Sequence, residues 1–215
     1  MRSTQFVVVE GVIGAGKTPL AEYLGEAWNA RLVLEQVEEN PYLEEFYRDP
    51  RRYAFQTQIT FLLARYQQQR ELMQRDIFSP RVVSDYLFQK DRLFANVNLS
   101  DKELRLYDKL FPILERDVPT PDLVIYLQAS TETIMQRIES RGREYERDIS
   151  NEYVGALNEA YNYFFFHYDA SPVLVVETDG LDLVNHPEQG RDLIDRVEEH
   201  AGGTVYYRPL EKEES

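Results

Sequence analysis

The segment Gly11-Val-Ile-Gly-Ala-Gly-Lys17-Thr18 constrains this chain more than any other stretch. It has the spacing G-x-x-x-x-G-K-[ST] and stands between a β-branched run, Phe6–Val9, and an amphipathic stretch, Lys17–Trp28. Glycines at these intervals let the backbone curl until several N–H groups point inward at phosphate oxygens. The following helix adds its positive end. Gly11, Gly14, Ala15 and Gly16 are therefore expected to line a phosphate cradle. Lys17 would bridge the β- and γ-phosphates, and the Thr18 hydroxyl would ligate Mg²⁺. Pro19 is unusual here, because its missing N–H removes one potential phosphate donor from the first helical turn. The loop implies nucleotide binding but not a reaction. The N-K-x-D pattern of guanine recognition is absent.

Composition narrows the class. The 215 residues carry 38 acidic and 24 basic side chains, a net charge of −14, which argues against a nucleic-acid partner. A small phosphate ligand survives that objection, since a few local cations and amides suffice. With no Cys there is neither disulfide nor thiolate chemistry. His167, His186 and His200 lack metal-ligand spacing, so zinc is not expected. No apolar stretch approaches the roughly 20 residues that span a bilayer, and no signal-peptide pattern is visible. The expectation is a cytoplasmic protein without membrane contact.

Short apolar runs alternate with long amphipathic ones. Strands are expected at Phe6–Val9, Leu32–Leu34, Val82–Ser84, Leu123–Leu127 and Val173–Val176, each reading as a strand buried on both faces. Helices are expected at Lys17–Trp28, Arg52–Phe78, Asp101–Arg116, Thr131–Arg141, Glu152–His167 and Gly190–Glu199. This alternation predicts one α/β domain over residues 1–215: a three-layer α/β/α fold around a five-stranded parallel sheet. The tail, 204–215, is expected to fray. Arg137, Arg141, Arg143 and Arg147 crowd into eleven residues of an acidic protein, a grouping that suits an anion.

Further motifs follow in order: Glu35-Gln-Val-Glu-Glu-Asn-Pro41, Phe46-Tyr-Arg-Asp-Pro50, Tyr53-Ala-Phe-Gln56-Thr-Gln, Ser84-Asp85-Tyr-Leu-Phe, Asp91-Arg-Leu-Phe-Ala95 and Arg141-Gly-Arg-Glu-Tyr-Glu146. With the phosphate loop ahead of them, they resemble the deoxynucleoside kinases, especially the bacterial deoxyadenosine/deoxyguanosine kinase branch, from about Gln5 to Arg196. The resemblance implies ATP and Mg²⁺ as cofactors, a deoxynucleoside substrate and a homodimer, for which amphipathic Asp101–Arg116 could serve. It makes Glu35 the base that accepts the 5′-hydroxyl proton, with Gln36 where the family usually has Pro. Tyr47 and Glu146 would bind the sugar 3′-hydroxyl, Gln56 the base edge, and Phe55 and Phe94 the base faces. Asp85 would support Mg²⁺ beside Thr18. Tyr86 stands where the family motif has Arg, and Arg92 is the nearest replacement, or else a base contact with Asp91. The arginines around Gly142 become a lid at about 141–150, with Arg137, Arg141 and Arg143 closing over the phosphates. The loop Thr178–Asp182 resembles the surround of the ATP adenine, and Asn40-Pro41 a small pocket wall that leaves room for a purine.

Two other readings stay open at this level. A thymidylate kinase-like enzyme shares the fold and loop but phosphorylates a phosphate, and so needs an acceptor-side arginine rather than a carboxylate base. A non-catalytic protein of the same fold would use ATP as a conformational ligand.

Overall fold

The structure is a computed structural model that describes residues 5–72, 81–181, 183 and 186–209. Six parallel strands form one sheet in the order β2-β3-β1-β4-β5-β6. These are β1 (Phe6–Gly11), β2 (Arg31–Val33), β3 (Val82–Ser84), β4 (Leu123–Gln128), β5 (Val173–Glu177) and β6 (Thr204–Tyr207). The helices are α1 (Lys17–Trp28), α2 (Leu43–Arg48), α3 (Pro50–Leu72), α4 (Lys90–Asn98), α5 (Asp101–Glu115), α6 (Thr131–Arg141), α7 (Asn151–His167) and α8 (Pro187–Glu199).

The sheet has six strands, not five. Thr204–Tyr207 lies in the stretch expected to fray, yet pairs in register with Val173–Val176. As an edge strand it is largely exposed, so it lacks the continuous apolar run that marks the buried strands. Residues 210–215, and positions 73–78 of the long predicted helix, lie outside the described residues.

Burial explains the centre. Val7, Val8 and Val9 of β1 and Leu123 to Leu127 of β4 are at most 2% exposed, packed between helices on both faces. Each such side chain contributes about 1.5–3 kcal/mol. A second cluster joins Phe46, Ala54, Leu62, Phe88, Tyr107 and Phe111 between α2, α3, α4 and α5. Helices begin where the sequence caps them. Ser100 with Glu103 forms a capping box on α5, and Ser130 and Ser150 accept from Thr133 and Tyr153 at the starts of α6 and α7.

β1 and β3 are neighbours whose connections run in opposite directions along the strand order, β1 leading past β3 to β2 and β3 leading past β1 to β4. Their carboxyl ends therefore open a crevice, the place where open parallel sheets bind ligands. Gly11, Glu35, Asp85 and Thr178 all sit at or just past strand ends on this edge.

Candidate active site

The loop after β1 has the backbone its glycines permit. Gly14 and Gly16 have φ of 83° and 94°. A Cβ at Gly14 would also come within 2.9 Å of the Ile138 side chain on α6, so only glycine fits there. Gly16 then caps α1. Lys17 Nζ donates back to the Gly11 and Val12 carbonyls at 2.8 and 3.1 Å. Desolvation and the Lys90 charge lower the Lys17 ammonium to about 8, against the pull of Glu10, Glu35 and Asp85. A phosphate in the cradle would raise it again.

Beneath the loop, Glu10 is fully buried and accepts from Gly11 N, Leu87 N and Tyr161 Oη at 2.8, 2.6 and 3.2 Å. It ties the phosphate loop to the turn after β3. At the end of β3, Asp85 accepts from Thr18 Oγ1 at 2.6 Å on Oδ2 and from Glu35 N at 2.7 Å on Oδ1. One carboxylate thus joins the loop to the segment that carries Glu35.

Glu35 sits between two cations. Arg65 Nε donates to Oε1 at 2.6 Å, and Lys90 Nζ to Oε2 at 2.7 Å. Burial pushes the Glu35 carboxyl up, but Arg65 and Lys90 outweigh it and bring it down to about 2. Arg65 also pairs with Asp91, which accepts from Gln58 Nε2 and Tyr107 Oη, each at 2.7 Å. The same network raises Arg65 itself, the Glu35 and Asp91 charges exceeding the cost of burial.

Two cavities adjoin at this edge. One, of about 470 Å³, is lined by Gly14, Gly16, Lys17, Thr18, Pro19 and Arg137, among others. The other, of about 360 Å³, is lined by Lys17, Thr18, Glu35, Asp85, Arg143 and Glu146, among others. Lys17, Thr18, Arg141 and Arg143 border both. A narrower cavity of about 40 Å³ lies against α3, between Tyr47, Gln58, Phe61, Arg65 and Phe94. It has room for water rather than a ring, so a base must part walls that come from α2, α3 and α4.

The structure brings most of the expected residues to this edge and moves others away. Gln56 is exposed on α3 and does not face the narrow cavity; Gln58 does. Ala54, Thr57, Gln58, Phe61 and Arg65 recur at helical spacing along the cavity face, and position 56 lies on another face. Phe55 packs into the second core cluster, and Phe61 takes the wall position expected of it. Phe94 lines the cavity as expected. Arg92 is exposed and pairs with Asp108 at 3.6 Å, away from Glu35, whereas Lys90 pairs with Glu35 at 2.7 Å. Asn40 turns its amide to Thr57 O and accepts from Tyr42 N, bracing the loop rather than forming a cavity wall.

Either side of Gly142, Arg141 donates to both carboxylate oxygens of Glu146 at 3.1 and 2.6 Å, so the cation expected to face phosphate is held by the carboxylate expected to face the sugar. Arg143 bonds Tyr145, whose ring stacks 6.4 Å from Tyr47. Arg137 is drawn to Thr178 O and Thr178 Oγ1, the latter at 3.2 Å, at the end of β5. Of the proposed adenine loop, Asp182 lies outside the described residues.

Sequence reasoning missed Gln58, Arg65, Lys90 and the structural Glu10. For the first two the signal was present, as a polar stripe at i, i+7 interleaved with Ala54 and Phe61. For Lys90 and Glu10 no local pattern marks them, because Lys90 answers Glu35 55 residues away and Glu10 ties its own loop to Leu87, 77 residues on.

Among the described residues no group of three or more acidic or histidine side chains could hold a metal by protein ligands alone. Thr18 and Asp85 fit the sparse protein set of a Mg²⁺ that keeps waters and nucleotide phosphates. No helix of the described residues is long and apolar enough to cross a membrane.

Comparison with known proteins agrees with this geometry. The family profile "Deoxynucleoside kinase" matches residues 7–201. A deoxyguanosine kinase of Bacillus subtilis is 36% identical over 86% of this chain and 91% of its own length. A deoxyadenosine kinase of Lactobacillus acidophilus is 31% identical over 91% and 95%. A solved deoxyadenosine kinase from M. mycoides with bound dATP superposes with a TM-score of 0.79, at 28% identity, over 90% of this chain and 98% of that one. The chain belongs to the deoxynucleoside kinase family.

Proposed function

We propose that this kinase transfers the γ-phosphoryl group of ATP to the 5′-hydroxyl of a purine deoxynucleoside. The observation that carries the reading is Glu35: a largely buried, ionised carboxylate just past the end of β2, bordering the cavity it shares with Lys17 and Thr18. An alcohol is a poor nucleophile, and a carboxylate within hydrogen-bond reach takes its proton. The phosphate loop holds the donor, and Lys17 with Arg141 and Arg143 faces the charge that develops during transfer. Thr18 and Asp85 would hold Mg²⁺, which when bound neutralises phosphate charge. Tyr47 and Glu146 suit the sugar 3′-hydroxyl as donor and acceptor. Gln58 lines the cavity wall beside Arg65, its amide held by the buried Asp91 behind it, and offers a purine edge a hydrogen-bonding side chain. Relatives named as deoxyguanosine and deoxyadenosine kinases support the purine assignment.

A thymidylate kinase-like reaction is less well served. Arg65 is committed to Glu35 and Asp91, and Glu35 would repel an acceptor phosphate. The test is ADP release from ATP with each of the four common deoxynucleosides and with thymidine monophosphate. We expect deoxyadenosine or deoxyguanosine to lead. A lead by thymidine monophosphate overturns the acceptor assignment, and ADP release independent of any acceptor overturns the kinase reading.

The functional unit we infer is a homodimer. On α5, Leu106, Leu110 and Ile113 are 49%, 38% and 61% exposed at i, i+4, i+7 spacing, and on α7 Tyr163 and Phe166 are 71% and 78% exposed. Apolar surface of this kind favours association. Light scattering after gel filtration decides it: twice the chain mass supports the dimer, and one chain mass at micromolar protein contradicts it.

A further inference from the structure

The two cations on Glu35 are differently placed. Arg65 is committed. Its fork spans Glu35 and Asp91, and its guanidinium lies over the Phe61 ring at 4.7 Å. Lys90 makes a single polar side-chain contact among the described residues, its Nζ to Glu35 Oε2 at 2.7 Å, and its side chain is 4% exposed. An ammonium carries three donors on a flexible stem, so it can turn where a braced guanidinium cannot.

Helix stability does not account for Lys90. It is the first residue of α4, where a cation opposes the helix dipole. Nor does packing require a charge, because a buried lysine is costly unless a carboxylate answers it. Its ammonium lies 5.8 Å from the Tyr86 ring centroid, and its field reaches Lys17. Lys90 therefore bonds the acceptor-side carboxylate and acts through its field on the donor-side lysine.

We propose that Lys90 is a positioning residue of phosphoryl transfer: it holds Glu35 Oε2 in line until the acceptor hydroxyl takes that oxygen, and keeps its charge beside the carboxylate through the transfer. The inference rests on the kinase reading above. In the step itself, the 5′-hydroxyl proton passes to Glu35 and the 5′-oxygen forms a bond to the γ-phosphorus. The bond from that phosphorus to the β-bridging oxygen breaks, and its electron pair leaves on ADP. Lys90 keeps its protons throughout. As Glu35 loses its negative charge, Lys90 loses the anion that balanced it, while negative charge gathers on the phosphoryl and ADP oxygens. A cation whose balance shifts in that direction stabilises the transition state more than the ground state, and so acts on kcat.

The experiment compares wild type, Lys90→Met and Lys90→Arg for kcat and for the KM of deoxyadenosine and ATP, with calorimetric binding of deoxyadenosine in parallel. Lys90→Met keeps the apolar stem. We expect its kcat to fall by about 30-fold or more, with nucleoside affinity within about threefold of wild type. Lys90→Arg, which keeps the charge, should return kcat to within about tenfold of wild type. A Lys90→Met enzyme with kcat within about threefold of wild type overturns the proposal. So does a Lys90→Arg enzyme as slow as Lys90→Met, or a loss expressed only in KM. A wild-type enzyme that turns over none of the four common deoxynucleosides overturns the kinase reading as well, which separates the two failures.

Discussion

Gln58 donates from Nε2 to both the backbone carbonyl and the carboxylate of Asp91, at 2.8 and 2.7 Å, 33 residues along the chain. The pair joins α3 to α4 beside the narrow cavity and orients the amide before any base arrives. A base edge meeting this wall finds polar groups already in place, so binding costs less side-chain ordering.

Gln58→Ala is accordingly expected to lower kcat/KM for deoxyadenosine by roughly 10- to 150-fold, the value of one good hydrogen-bonded pair in a recognition site. Gln56→Ala, two residues away on an exposed face, should stay within about twofold. Steady-state kinetics on both variants check this, and the reverse ranking would return base recognition to Gln56.

Removing the loop lysine acts on phosphates rather than on the core. Lys17→Ala should lose about 10²-fold or more in kcat while its thermal unfolding stays close to wild type. Turnover near the wild-type rate would take the phosphate loop out of the chemistry.

Pro19, exposed beside the phosphate cavity, lacks the N–H that any other residue would offer there. Pro19→Thr should lower KM for ATP by up to about tenfold, since a charge-assisted hydrogen bond is gained. An unchanged or higher KM would show that the missing donor is already replaced.

Acid stability follows from Glu35. Its carboxyl is lowered from 4.5 to about 2 by Arg65 and Lys90, which outweigh burial, so the unfolded chain binds the proton first as pH falls. The stabilisation, on the order of 3 kcal/mol, is complete above pH 4.5 and is lost as pH falls toward 2. Urea unfolding between pH 5 and pH 3 should therefore show a shallower pH dependence in Glu35→Gln than in wild type. Equal slopes would mean that Glu35 is not the ionised partner of these cations.

Much of this was legible before the fold. Gly11–Thr18 carries its own geometry, because the glycine spacing, lysine and hydroxyl are contiguous and the chemistry is local. Glu35 and Asp85 were legible as polar residues ending apolar runs. What stayed hidden was set by helix rotation or by distance. Gln56 and Gln58 differ only in which face of α3 each occupies, and that face is decided by packing against α2 and α4. Lys90 answers Glu35 across 55 residues, so nothing adjacent to either announces the pair. Strand β6 escaped for the opposite reason: an exposed edge strand has little apolar burial to betray it.

The central claim is that Glu35 takes the proton of a deoxynucleoside 5′-hydroxyl during phosphoryl transfer. Phosphorus NMR of ATP with deoxyadenosine, run on wild type and Glu35→Gln at saturating substrates, tests it directly. The account predicts ADP and deoxyadenosine 5′-monophosphate appearing together with wild type. It predicts kcat lower by roughly 10²–10⁴-fold in Glu35→Gln, with nucleoside binding weakened far less. A Glu35→Gln enzyme that forms the 5′-monophosphate at the wild-type rate once saturated would contradict it.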